Sequence, residues 1–214
     1  MSAKQVTFLL MRHGLYEGKD DQEKLTPEGR RMVETSAREL VQPLGPVHLL
    51  FASDSPRAIE TTQVAADEIN CPCGGQVFLD PAFGVTWVEA DDIEEIYPWQ
   101  VVKNKIQTAK SSSNPFSVKD LWMRSIYPPA LAARHMLLTA MRHCAVRATI
   151  DLPYLSYSTI LVGCHGSNTY AFLKPEEADP DPPNCSVAVY KWQLPEDQEA
   201  QLVSSELLIP SFAK

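Results

Sequence analysis

The chain has 214 residues and carries 19 Lys+Arg against 27 Asp+Glu, a formal net charge of −8 with a sequence pI near 5.1. That length suits one domain with room for a substantial insertion, and 44% apolar residues place the chain in the globular range. The negative excess argues against non-specific binding to nucleic acid or an anionic membrane, while leaving room for a local basic pocket.

Val6–Met11 is a short, nearly continuous apolar run, the pattern of a strand buried on both faces. Thr26-Pro27 then supplies an N-cap followed by proline at the first helical position. Met32, Val33, Ala37, Leu40 and Val41 recur behind it at helical spacing, and Pro43 and Gly45-Pro46 stop the helix. Val47–Ala52 is a second buried-strand run. Ser55-Pro56 opens a second helix with Ile59, Ala65 and Ile69 as its expected apolar face and Thr62 alongside. Val77-Phe78-Leu79 reads as a short third strand. Strand, helix, strand, helix, strand predicts a parallel sheet covered by helices.

The alternation breaks between about residues 80 and 130, where an acidic run (Glu89, Asp91, Asp92, Glu94, Glu95), aromatics and a serine patch suggest an irregular, partly helical insertion. It resumes with Ala130, Ala133, Leu137, Met141, Cys144 and Ala148 along one face of a long helix. Thr159–Cys164 is another buried strand. A short helix around Tyr170–Leu173, a Pro/Asp loop and two last strands, Cys185–Trp192 and Leu202–Leu208, complete the chain.

Cys71, Cys73, Cys144, Cys164 and Cys185 are odd in number and thinly spread, which reads as reduced thiols in a cytoplasmic protein. Cys71-Pro72-Cys73 lacks the spacing of a zinc pair and reads as a loop with two thiols. The apolar start is too short for a secretory segment, and no stretch approaches the ~20 apolar residues of a membrane span. No membrane and no nucleic-acid partner are expected.

Chemistry concentrates at two strand ends. His13 follows the first strand in Arg12-His13-Gly14, and His165 follows Thr159–Cys164 in His165-Gly166. The carboxyl ends of strands line the ligand crevice of an open α/β sheet, and a following glycine lets a ligand approach the backbone. Arg57, just inside the second helix, can point into the same crevice, where the helix end also favours an anion. Arg12, His13, Arg57 and His165 thus predict a cationic pocket, whose guanidinium forks suit phosphoryl oxygens. Cys164 and His165 are adjacent on a strand and point to opposite faces, so Cys164 reads as a core thiol rather than a nucleophile.

Arg12-His13-Gly14, Leu25-Thr26 with Gly29, Ser53 with Arg57-Ala58 and Thr61, His165-Gly166, and Asn184-Cys185-Ser186-Val187 resemble the histidine phosphatase superfamily in its first, phosphoglycerate-mutase-like branch. The resemblance covers roughly residues 5–70 and 155–192. It implies a single α/β domain over 1–214, a three-layer αβα sandwich with a mostly parallel central sheet and an inserted, partly helical cap at about 80–130. It further implies phosphoryl transfer through a phosphohistidine, with His13 as the nucleophile in its neutral form. Arg12, Arg57 and His165, with Gly166 beside them, would hold the phosphoryl oxygens without a metal or other cofactor.

Two departures from the family stand out. The acidic residue that family members carry after the third strand, to protonate the leaving group, would fall near Val85 and is missing. Either Glu89 or a neighbour (Asp80, Asp91, Asp92) reaches in from the insertion, or the substrate's leaving group needs less help, as in a phosphohistidine or an acid anhydride. Lys19 stands where an asparagine often binds phosphate, and either contacts the phosphate or faces solvent. The expected function is a metal-independent phosphatase acting on a phosphorylated small molecule. Rival readings are a phosphohistidine protein phosphatase, a catalytically weak member that binds phosphorylated ligands or proteins, and a phosphoglycerate-type mutase.

Overall fold

The computed structural model describes residues 4–18, 22–72, 74–84, 127–152, 155–169, 182–194 and 201–213. The strands are β1 (Lys4–Arg12), β2 (Tyr16–Glu17), β3 (Lys24–Leu25), β4 (Leu49–Ala52), β5 (Val77–Leu79), β6 (Tyr157–Cys164), β7 (Val187–Leu194) and β8 (Gln201–Leu208). The helices are α1 (Pro27–Ser36), α2 (Pro56–Glu68), α3 (Tyr127–Asp151) and the single turn α4 (Gly166–Thr169). Six strands form one sheet in the order β5-β4-β6-β1-β7-β8, with β7 antiparallel to both its neighbours and β5, β4, β6 and β1 mutually parallel. β2 and β3 pair as a small separate hairpin, which the sequence pattern did not suggest.

The two-sided apolar runs become two cores. Val6, Phe8, Leu10, Phe51, Ile160 and Val162 face one side of the sheet, packed with Leu137, Met141, Cys144 and Ala148 of α3. Leu9, Met11, Leu50, Leu161 and Val189 face the other, packed with Val33 of α1, Ala37 and Val41 beyond it, and Ala65 and Ala66 of α2. Alternate residues of each strand thus feed opposite cores, giving a mostly parallel sheet between helical layers. Each fully buried Leu, Ile, Val or Phe contributes roughly 1.5–3 kcal/mol, so these two clusters are the main source of stability.

Local chemistry fixes where the helices start. The Thr26 side chain accepts from the Gly29 N–H at 2.9 Å and Pro27 occupies the first turn, as expected from the sequence. α1 continues as a π turn (Ala37–Val41) and a 3-10 turn (Gln42–Leu44) before Gly45, at φ +99°, ends it. α2 buries Arg57, Ala58, Thr61, Thr62, Ala65 and Ala66, whereas Ile59 is only half-buried. The face is rotated from the apolar count because the helix presses on β6 at Gly163. A Cβ there would collide with the Thr62 hydroxyl and the Ala58 carbonyl, so small residues line the contact.

Other expectations shift. The helix after β6 is Gly166–Thr169; Tyr170–Leu173 lies outside the described residues, as do Lys19, Glu89, Asp91, Asp92 and most of the insertion. Cys71 is disulfide-bonded, against the expectation of reduced thiols throughout, while Cys144, Cys164 and Cys185 are free and buried. Among the described residues no helix is long and apolar enough to cross a membrane.

Candidate active site

β1 and β6 run side by side in parallel with Arg12 opposite Cys164, so the residues that follow, His13 and His165, emerge together at the carboxyl end of the sheet. The His13 N–H donates to the Cys164 carbonyl at 2.9 Å, and the Ser53 N–H at the end of β4 donates to the Gly163 carbonyl at 3.0 Å. Three adjacent strand ends therefore deliver His13, His165 and Ser53 to one place, and the two imidazole centroids lie 5.3 Å apart.

The loop before β7 locks this arrangement. Asn184 Nδ2 donates to the His13 carbonyl at 3.0 Å, the Cys185 N–H to the Arg12 carbonyl at 3.1 Å, and the Arg12 N–H to the Ser186 carbonyl at 3.0 Å. Cys185 adopts a left-handed φ of +63°, which aims its amide back at the strand end and its thiol into the core. On the other flank, the Gly14 N–H donates to Thr61 Oγ1 at 3.2 Å, and that hydroxyl donates to the Arg57 carbonyl at 2.7 Å. Gly29 supplies the close approach under the Arg-His-Gly loop, since a Cβ there would overlap the Leu15 carbonyl.

Hydrogen bonds assign the histidine tautomers. His13 Nδ1 lies 2.9 Å from the Gly14 carbonyl, which only accepts, so Nδ1 carries the proton and Nε2 keeps a free lone pair. An Arg57 Nη2–H faces His165 Nδ1 at 3.4 Å, and a guanidinium only donates. His165 Nε2 therefore carries the proton and donates to Ser53 Oγ at 3.1 Å. Burial pushes His13 down to about 3, with the Arg57 and Arg12 charges adding and the Gly14 hydrogen bond opposing. Burial likewise pushes His165 down to about 2, helped by His13, Arg57 and Arg12. Both imidazoles are neutral at physiological pH, and the positive charge of the site resides on the two guanidiniums.

Arg57 is the hub. It is 6% exposed, bonds His165, forms an ion pair with Glu23 and lies 4.5 Å over the Tyr16 ring. Tyr16 also meets His13 edge-on, with ring centroids 5.2 Å apart. Arg12 reaches the Pro182 carbonyl, and Gly166 lies against its guanidinium, where a Cβ would come within 3.4 Å of Cζ. The four residues expected in the pocket thus come together, two of them as guanidinium cations and two as neutral imidazoles, and Gly166 packs beside them.

Sequence reasoning missed Glu23 and Tyr16. Glu23 sits in a densely charged stretch, Lys19 to Lys24, that is indistinguishable from a solvated loop without the β2–β3 hairpin that folds it onto Arg57. Of the carboxylates considered for the acid role, Asp80 spends its Oδ1 accepting from the Ala82 N–H at 2.9 Å, capping the turn Pro81–Phe83. Glu89, Asp91 and Asp92 lie outside the described residues.

Comparison with curated proteins gives no match. Among solved structures, the chain is similar to phosphoglycerate mutase from Bacillus anthracis str. Sterne at 16% identity, covering 95% of this chain and 93% of that one with a TM-score of 0.58. It is similar to mycobacterial hydrolase 2 at 14% identity, over 99% and 93% of the two chains, with a TM-score of 0.56. A mycobacterial glucosyl-3-phosphoglycerate phosphatase in complex with VO3 matches at 16% identity over 95% and 99%, with a TM-score of 0.52. At these identities the likeness is one of fold. Membership rests on the family model for the histidine phosphatase superfamily (branch 1), which matches residues 8–114, half of the chain. The chain belongs to branch 1 of the histidine phosphatase superfamily.

Proposed function

We propose that the protein is a metal-independent phosphatase that hydrolyses a phosphorylated small molecule through a phosphohistidine on His13. The observation that carries this reading is the state of His13: neutral, with Nδ1–H tied to the Gly14 carbonyl and the Nε2 lone pair left as nucleophile. Arg12, half-buried, and Arg57, buried, supply two positive charges beside it for a phosphoryl dianion, and the burial of His13, Arg57 and His165 strengthens such interactions. In-line attack of Nε2 on phosphorus expels the leaving oxygen and forms the phosphohistidine; water then attacks phosphorus from the side that oxygen vacated, opposite Nε2, and frees inorganic phosphate as the N–P bond breaks. His165 is engaged on both nitrogens, and it contacts the phosphoryl group by turning its Nε2–H from Ser53 onto a phosphoryl oxygen, since Nδ1 only accepts from Arg57.

The test is phosphate release by wild type and His13→Ala, with EDTA present, across an aryl phosphate, several sugar phosphates, a nucleotide and a phosphohistidine. His13-dependent turnover of small phosphoesters despite EDTA is the expected outcome. Turnover retained in His13→Ala removes the nucleophile assignment, and turnover abolished by EDTA points to a metal enzyme. Activity confined to phosphohistidine would transfer the assignment to a protein phosphatase. A folded protein that binds phosphate and turns over nothing would be a binding member of the family.

A further inference from the structure

The sequence lacks an acid near Val85, where the family resemblance expects one, yet the structure brings a carboxylate onto Arg57 from a different element. Glu23, leading into β3, forms its ion pair with the guanidinium on which phosphoryl binding depends, and the two side chains are 12% and 7% exposed. We propose that Glu23 is the proton donor to the leaving group, and that it acquires its proton when the phosphoryl group takes Arg57 from it. The proposal rests on the phosphatase reading above.

In the free protein Glu23 is paired with the Arg57 guanidinium. Around this pair stand the Tyr16 ring from β2, His165 from the end of β6, and His13 and Arg12 from the end of β1. The histidines are neutral, so Arg57 is the positive group paired with Glu23. A bound phosphoryl dianion shares or takes that guanidinium and brings two negative charges beside the carboxylate. Both changes favour the protonated carboxyl, so substrate binding draws a proton from solvent onto Glu23.

The steps then balance. As the His13 Nε2–P bond forms, the bond from phosphorus to the leaving oxygen breaks and the Glu23 proton passes to that oxygen, which leaves as an alcohol. Water next attacks phosphorus and gives a proton to the Glu23 carboxylate while the N–P bond breaks. Inorganic phosphate departs, with His13 neutral and the carboxyl recharged.

Two readouts on wild type, Glu23→Gln and Glu23→Asp test this. Binding of inorganic phosphate, followed by calorimetry in buffers of different ionisation enthalpy near neutral pH, should show wild type taking up about one proton more than Glu23→Gln, with Glu23→Asp restoring part of it. In turnover, Glu23→Gln should slow an alkyl phosphate about 100-fold or more while slowing a nitrophenyl phosphate only a few-fold, because nitrophenolate leaves without a proton. Equal proton uptake, or equal slowing of both substrates, overturns the proposal; the second result would mark Glu23 as a residue that only positions Arg57. His13-dependent turnover that ignores Glu23→Gln overturns Glu23 alone, whereas absence of turnover in wild type overturns the phosphatase reading and this proposal together.

Discussion

Ser53 contributes no charge, yet it sets the tautomer on which Arg57 depends. Its hydroxyl accepts from His165 Nε2–H, which leaves Nδ1 free to accept from Arg57. Ser53→Ala strands a buried imidazole donor, at a cost of about 1–3 kcal/mol. For a chain of this size that lowers the thermal midpoint by roughly 2–4 °C per kcal/mol. The same substitution lets the ring turn and loosens Arg57, so inorganic phosphate should bind several-fold more weakly in calorimetry. An unchanged affinity beside a lowered midpoint would show that His165 does not hold Arg57. At this scale the sequence was legible where side chains follow directly from strand ends: Arg12, His13 and His165 sit at positions that any parallel sheet would bring together. Glu23 and Tyr16 were not legible, because their contact with Arg57 depends on a hairpin of two-residue strands that carries no periodicity to read.

Elements meet in this protein where side chains are smallest. Gly29 lets the first turn of α1 pass over the Leu15 carbonyl directly after the Arg-His-Gly loop, and Gly163 lets α2 press onto β6 between Ala58 and Thr62. Adding a methyl group at either place pushes backbone against backbone, and overpacking of this kind costs about 1–3 kcal/mol. Gly29→Ala should therefore lower the midpoint of chemical unfolding and also reduce turnover, since α1 can retreat only by dragging the loop that carries His13. Gly163→Ala should cost similar stability and move the α2 end that bears Arg57. A Gly29→Ala variant as stable and active as wild type would show that the contact is looser than the geometry indicates. The same principle explains the part of the α2 face that the sequence misplaced. Periodicity counts apolarity and favoured Ile59, whereas close packing counts size and buries Ala58 and Thr61 beside the expected Thr62 and Ala65. The central strands β1, β4 and β6 were legible because burial on both sheet faces leaves a short, uninterrupted apolar run bounded by turn signals.

For the molecule as a whole, the site imposes a pH dependence on folding. His13 and His165 are held near 3 and 2, against an unfolded value of about 6.5. Between those limits the unfolded chain binds protons that the folded protein refuses, so acidification drives unfolding and stability rises with pH across the window. Below about pH 6.5 each histidine removes up to about 1.4 kcal/mol per pH unit, or roughly 2 kcal/mol between pH 7 and 5. His48, also lowered by burial but more open to solvent, adds in the same direction. The loss needs no carboxylate, because it begins while Asp and Glu are still ionised. A thermal-unfolding series from pH 7.5 to 5 should show the midpoint falling steeply below pH 6.5. His165→Gln, which keeps an amide donor for Ser53 but cannot take up a proton, should remove close to half of that slope. Saturating inorganic phosphate should flatten it further, since a bound dianion favours protonated imidazoles and so narrows the gap between folded and unfolded proton affinities. If His165→Gln keeps the full wild-type slope, the acid sensitivity lies elsewhere and the neutral-histidine description of the site is wrong.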